Sequence, residues 1–217
     1  AGGGAERESP ADARRSAEHR VRTLGRAVSL ADYADLALTF SGIAKARADW
    51  DWQDGRRGIL LTLAAAGGAP PSVEMKDALY AFFAQRSPTA GRLRIRDLRN
   101  LPVRLALDVT VQPNFLQADV LRRLWQVLGA EDSGGVRGYF HFDQRELGGD
   151  LFLSSIYRLV ETTRGVQNAL ATAFHLEGEA AEVADRIAIP PNGLACGGHA
   201  TGPARGRLSL RLSGGIA

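Results

Sequence analysis

The sequence predicts an α+β fold with two small α/β sandwich modules in tandem, an extended N-terminal arm and a loop-rich C-terminal β extension. Three observations carry this prediction: a capped helix that runs into a strand near the start, a long alternating strand in the middle, and composition shifts at both ends. We expect the arm at residues 1–20, the first α+β module at 21–100, the second at 101–178 and the extension at 179–217.

The first module is predicted to begin with a helix, and the sequence contains signals for both ends of it. Ser29 is a good N-cap, and Asp32 three residues later completes a capping pattern and puts negative charge at the positive helix end. Gly42 is expected to stop the helix, and Ile43 to begin an extended run.

The remainder of the first module reads as a hairpin, a helix and a third strand. Strands are expected at 43–50 and 58–64, joined by a turn with an Asp-Gly signal. Apolar residues at helical spacing follow, and Phe82 is expected to be one of the core rings. Leu93 and Ile95 then alternate with arginines. The order α-β-β-α-β predicts a sandwich in which two helices cover one sheet face.

The second module is also predicted to consist of strands and helices. An alternating strand at 103–111 is followed by a helix that Gly129 ends, a glycine-rich loop at 133–138 and a short aromatic strand at 139–142. A helix at 154–162, a glycine and a strand at 166–174 follow, and the same helix–glycine–strand phrase occurs at 29–46. Two interpretations stay open: a duplication, or the usual way in which helices lead into strands.

Composition bounds the function. The formal net charge is +3 over 217 residues, and acidic residues are interspersed with the basic ones, whereas nucleic-acid binding favours a denser basic stripe with exposed aromatics. Cys196 is the only cysteine, which precludes an intrachain disulfide and fits a reducing compartment. No membrane-spanning segment is seen in the sequence. The chain begins at Ala1 with AGGGAE, and we expect it to be a portion of a longer protein.

A search for catalytic chemistry yields little. His141 and Asp143 would share one strand face, with Glu146 nearby, as in a metal or acid/base site, although solvated side chains explain such a trio as well. No phosphate-binding glycine-lysine loop and no nucleophile elbow occurs. We therefore expect no enzyme, no catalytic residue, no metal and no cofactor.

Three stretches resemble the phage baseplate J family. RTLGRAVSLADYADLAL with GIAKARA is similar to the family's R-A-V-T-x-x-D-Y/F-x-x-L-A … G-V-A-R-A block. LFLSSIYRLVETTRGVQNA resembles its l-S-x-I/V-Y-x-L-L-E-x-V-P-G-V block, with Thr163 and Arg164 replacing Val-Pro. RIAIPPNGLACGGH resembles its R-I-x-L-P-x-x-x-L-V-x-S-G-x-H tail.

This resemblance implies a structural wedge component of the baseplate of a contractile phage tail or contractile injection system. The implied partners are other wedge subunits, hub or spike proteins, sheath-proximal proteins and copies of the chain or its parent around a six-fold particle. The implied location is the bacterial cytoplasm during assembly. An arginine-rich nucleic-acid-binding module and, less favoured, a hydrolase remain as alternatives.

Partner contacts are expected where segments cannot bury themselves. The arm has little apolar surface, a row of arginines faces outward from the third strand, and the alternating leucines near the end need a sheet to join. Trp50 and Trp52 share one face of a hairpin, and we assign Trp50 to packing and Trp52 to an interface. The candidate interface residues are Trp52, Arg92, Arg94, Arg96, Leu208, Leu210 and Leu212.

Overall fold

The computed structural model describes residues 26–87, 92–133, 135–198 and 206–217. The chain divides into two units, residues 1–98 and 99–217. The arm predicted at 1–20 lies outside the described residues. No helix among the described residues is long and apolar enough to cross a bilayer.

The fold is α+β, as predicted. In the first unit the elements are α1 (Leu30–Ala37), β1 (Ile43–Gln53), β2 (Arg56–Ala65), α2 (Val73–Ala84) and β3 (Leu93–Asp97). The second unit contains β4 (Arg99–Leu116), α3 (Gln117–Leu128), β5 (Asp132–Ser133), β6 (Val136–Arg137), β7 (Leu151–Phe152), α4 (Leu153–Glu161), β8 (Val166–Leu176), β9 (Arg186–Ile187), β10 (Gly193–Cys196) and β11 (Arg207–Ile216).

The start of α1 confirms the predicted capping box. The Ser29 hydroxyl accepts from the backbone N–H of Asp32, and the Asp32 carboxylate accepts from the N–H groups of Ser29 and Val28 at 2.8 and 3.0 Å. Burial opposes ionisation of Asp32, but these hydrogen bonds outweigh it and lower the pKa of the carboxyl. The capping box thereby satisfies one free amide of the first turn, that of Asp32, together with the two amides that precede the helix.

The described part of the first unit has the predicted arrangement of two helices and one sheet. Its sheet has the order β1-β2-β3, with β1 antiparallel and β3 parallel to β2. Alternate β2 residues face a single core that both helices complete. Its most buried members are Tyr33, Leu36, Ile59, Leu61, Leu63, Leu79 and Phe83.

The second unit is built around β4. This strand pairs with β8 in antiparallel register on one side, and with β10 and then β11 in parallel register on the other. Its alternate residues Val103–Val111 are buried against the apolar faces of α3 and α4. The alternation predicted for this stretch is confirmed, and the strand that carries it is 18 residues long.

The predicted aromatic strand at 139–142 is wrong. The backbone N–H groups of Tyr139 and Phe140 donate to the carbonyls of Val127 and Leu128, which the end of α3 leaves free. Phe140 is buried in the core of the unit. These residues therefore close a helix C-terminus, and a short 3₁₀ helix, Phe142–Gln144, follows.

Residues beyond 178, expected as a loop-rich extension, contribute three strands to the second unit. β9 pairs with β7, while β10 and β11 pair with β4. β10 was not predicted at all. Within the glycine-rich loop expected at 133–138, β5 and β6 pair in antiparallel register, and the N–H of Gly135 donates to the Asp132 carboxylate.

Candidate interaction surfaces

The tip of the β1–β2 hairpin presents two tryptophans on one face. Asp54 and Gly55 form its turn with positive φ angles, so Trp50 pairs with Ile59 and Trp52 with Arg57. Trp50 is 48% exposed and lies under the Arg57 guanidinium, 4.7 Å from the ring centroid. Trp52 is 69% exposed. Trp50 is thus partly covered within the chain, and Trp52 is the more open ring.

The predicted arginine row lies on the sheet face opposite the helices. Leu93 is buried towards the core, so alternation turns Arg94 and Arg96 to the other side. Arg94 forms an ion pair with Asp51 at 3.1 Å. Arg92 donates to the backbone carbonyl of Arg57, also at 3.1 Å. The row belongs to a mixed-charge face, not to a purely basic stripe.

That face carries a second ion pair, and the outer edge of β3 has a side-chain partner. The Arg47 guanidinium contacts the Asp49 carboxylate at 3.2 Å. The backbone N–H of Ile95 donates to the Tyr80 hydroxyl of α2 at 2.9 Å. An incoming strand would therefore have to displace Tyr80 before it could pair with β3 at this position.

The alternating leucines of β11 find their sheet within this chain. Leu208 is 7% exposed and belongs to the core of the second unit. Leu210 and Leu212 pack partly buried against the same core. This corrects the expectation that the tail joins a sheet only on a neighbouring subunit, because β4 already supplies the partner strand. Leucines packed in this way are not free to anchor a partner.

Two of the three residues considered for catalysis, His141 and Asp143, are held by local contacts. The Arg137 guanidinium contacts the Asp143 carboxylate at 2.8 Å. His141 precedes the 3₁₀ helix, and its Nδ1 accepts from the backbone N–H of Asp143. Among the described residues, no three His, Cys, Asp or Glu side chains are grouped so that they could hold a metal ion.

Two contributors to these surfaces were missed in the sequence. Arg57 stacks on Trp50, and the Asp-Gly turn could have indicated it, because a two-residue turn fixes the register of the hairpin. Tyr80 reaches β3 from α2, a contact between distant parts of the chain that no local pattern signals.

Comparison with known protein families gives a match for part of the chain. Residues 25–96 match the model of the family described as Baseplate J-like central domain. Among curated proteins, no sequence matches.

The structure is similar to a chain of a solved assembly described as the cryo-EM structure of the anti-feeding prophage (AFP) baseplate, 6-fold symmetrised. The TM-score is 0.52 at 12% identity, and the likeness covers 89% of this chain but only 42% of that chain. At this identity the likeness shows a shared fold. The family match over residues 25–96 confirms the resemblance to the baseplate J family found in the sequence of that part of the chain.

Proposed function

We propose that this protein is a structural component of the baseplate of a contractile injection system or contractile phage tail. The observation that carries the proposal is the family match over residues 25–96. The fold likeness to a baseplate chain supports it, since that likeness extends over 89% of the protein. The proposed role is structural and includes no catalytic step.

More specifically, we propose a place in the baseplate wedge. The chain would join other wedge subunits around the central hub and help to couple the baseplate to sheath contraction. Its partners would be wedge, hub or spike and sheath-proximal proteins, together with further copies around a six-fold particle. Assembly would take place in the bacterial cytoplasm.

Within this role we propose that the hairpin tip and the neighbouring arginine row contact a partner. Trp52 has the largest exposed ring of the first unit's hairpin, and a tryptophan that leaves water on binding is a frequent hot spot. Arg92, Arg94 and Arg96 lie on the opposite sheet face, where Arg94 and Asp51 already form a pair. An acidic surface would then extend an existing charge network.

The experiment is co-expression of the chain with the products of the neighbouring genes, followed by purification and mass measurement of the complex. The expected result is a stoichiometric complex with at least one wedge candidate. A chain that stays alone with every candidate would contradict the proposal. A shift of DNA or RNA that weakens with salt would instead favour a nucleic-acid-binding module.

Replacing Trp52 by Ala tests the surface. Loss of an exposed aromatic anchor should weaken the complex at least tenfold, since a hot-spot truncation costs roughly 2 kcal/mol or more. Trp50→Ala is the matched control, because Trp50 is the same residue type in the same hairpin but is partly covered by Arg57. Equal effects of the two variants would remove Trp52 from the interface.

A further inference from the structure

The second unit contains a cavity of about 400 Å³ that is lined by arginines and by no acidic residue. It lies between the end of α3, the turn after β6, the 3₁₀ helix and the outer side of α4. Its polar lining consists of Arg137, Tyr139, Gln144, Arg145, Ser155 and Arg158. Such a concentration of guanidinium groups in one concave site is the usual chemistry of an anion-binding pocket.

Arg145 is the central observation. It is 8% exposed, and its Nε is buried with no hydrogen-bond partner among the described residues. One of its terminal nitrogens reaches the backbone carbonyl of Asp150 at 3.4 Å, and its guanidinium lies over the Tyr139 ring at 4.6 Å. A buried guanidinium is normally paired with a carboxylate or phosphate, because removing its charge from water is costly.

Two carboxylates near the cavity, those of Asp143 and Asp150, already have partners. Asp143 pairs with Arg137 at 2.8 Å. Asp150 accepts from Arg186 and from the backbone N–H of Ile189, both at 2.9 Å. The charges of Arg145 and Arg158 are therefore not neutralised by these groups. The cavity has a local excess of positive charge that an external anion would complete.

The sequence positions these groups by local rules. The 3₁₀ helix ends at Gln144, so Arg145 follows a tight turn that brings its side chain back over Tyr139. Gly138 lets the chain pass close to α3, since a Cβ there would lie 2.4 Å from the Gly129 carbonyl oxygen. Ser155 and Arg158 are three residues apart on α4 and thus share a face.

We propose that this cavity binds a carboxylate presented by an acidic segment of another protein chain. The apolar part of the wall favours this source over a free inorganic anion. Val127, Leu159 and the ring of Tyr139 line the same cavity as the arginines. Such walls would pack against the methylenes of a glutamate side chain, whereas phosphate would gain nothing from them. The proposal goes beyond the baseplate assignment and does not depend on it.

The test uses the full chain and three probes: an end-blocked peptide of alternating glutamate and glycine, its glutamine counterpart, and inorganic phosphate. Binding is followed through the arginine Nε–H signals in nitrogen-edited NMR spectra and through calorimetry. We expect saturable binding of the glutamate peptide, with the Arg145 signal shifting. Binding of the glutamine peptide with equal strength, or of phosphate more tightly than the glutamate peptide, would overturn the proposal.

Arg158→Gln removes one charge from the cavity at an exposed helix position, where folding is not at risk. We expect glutamate-peptide binding to weaken about 10- to 100-fold, as for the loss of a charge-assisted hydrogen bond. Arg122→Gln is the matched control, because Arg122 is an exposed arginine of the same unit that pairs with Asp119 and does not line the cavity. Equal losses of affinity in both variants would show that binding depends only on the net charge of the protein. That result would overturn the proposal.

Arg145→Met separates a binding role from a structural one. If Arg145 is held for an external carboxylate, the variant should lose peptide binding while its thermal midpoint stays unchanged or rises, because an unpaired buried charge has been removed. If Arg145 serves only the fold, through Tyr139 and the Asp150 carbonyl, the midpoint should fall and binding should persist. The second outcome would overturn the proposal.

Discussion

At the scale of single residues, two adjacent phenylalanines of α2 differ in how deeply their rings are buried. The Phe83 ring is fully buried and stacks on Tyr33 with the ring centroids 4.9 Å apart. The Phe82 ring is only partly buried, contacts Phe40 edge-on at 4.9 Å and lies under the Arg86 guanidinium at 3.9 Å. The helical spacing alone places both rings on the core side and does not rank them.

This difference gives an unequal pair of predictions. Phe83→Ala should lower the free energy of unfolding of the first unit by about 3–5 kcal/mol, because it leaves a cavity inside a closed core. Phe82→Ala should cost roughly 1–3 kcal/mol, since part of its surface is already in water. Denaturant unfolding monitored by the first unit's tryptophan fluorescence would measure both. Equal costs would show that the two rings contribute equally to the core.

At the scale of secondary structure, the same helix–glycine–strand arrangement occurs in both units. Gly42 lies between α1 and β1 with φ +93°, and Gly165 lies between α4 and β8 with φ +97°. Both values favour glycine strongly. The sequence predicted both glycines and both strands, because Gly stops and apolar alternation are local signals. The structure is equally compatible with a duplication and with a recurrent way of joining a helix to a strand.

Elements that depend on distant partners were harder to predict. The four residues of β10 show no alternation, and they form a strand because β4 lies beside them. The aromatic pair Tyr139 and Phe140 suggested a strand by propensity. Their backbone N–H groups instead donate hydrogen bonds to the free carbonyls at the end of α3. The Arg145 cavity was not predicted for the same reason, because its arginines come from three separate segments of the chain.

Gly165→Ala tests the element scale. An added Cβ would lie 2.7 Å from a Val120 methyl and 2.8 Å from the Phe115 ring, so steric overlap adds to the backbone strain. We expect a loss of roughly 3 kcal/mol or more in the second unit. Gly178→Ala is the control, because its φ is +90° but nothing lies within 4 Å of the added carbon, which leaves a strain cost of about 1–3 kcal/mol. Thermal unfolding of both variants measures the difference, and equal losses would exclude a packing role for Gly165.

At the scale of the whole molecule, two separate cores explain why composition and periodicity predicted so much of the fold. Each described core is formed by residues of one unit, and no described strand of the first sheet pairs with a strand of the second. Local patterns therefore carried most of the information. The final residues are the exception, because the role of β11 depends on β4 about a hundred residues earlier in the chain.

The position of β11 yields the last prediction. Leu208 faces the core, whereas the adjacent Ser209 is exposed on the other face of the strand. Leu208→Asp should therefore destabilise the second unit by roughly 3 kcal/mol or more, since it buries a charge without a partner. Ser209→Asp should change stability by less than about 0.5 kcal/mol. Hydrogen exchange on the isolated chain provides the measurement: the β4 amides between Arg104 and Thr110 should lose protection in the first variant and keep it in the second. If both variants leave β4 equally protected, then β11 does not complete this sheet in the isolated chain, and the tail is ordered by a neighbouring subunit after all.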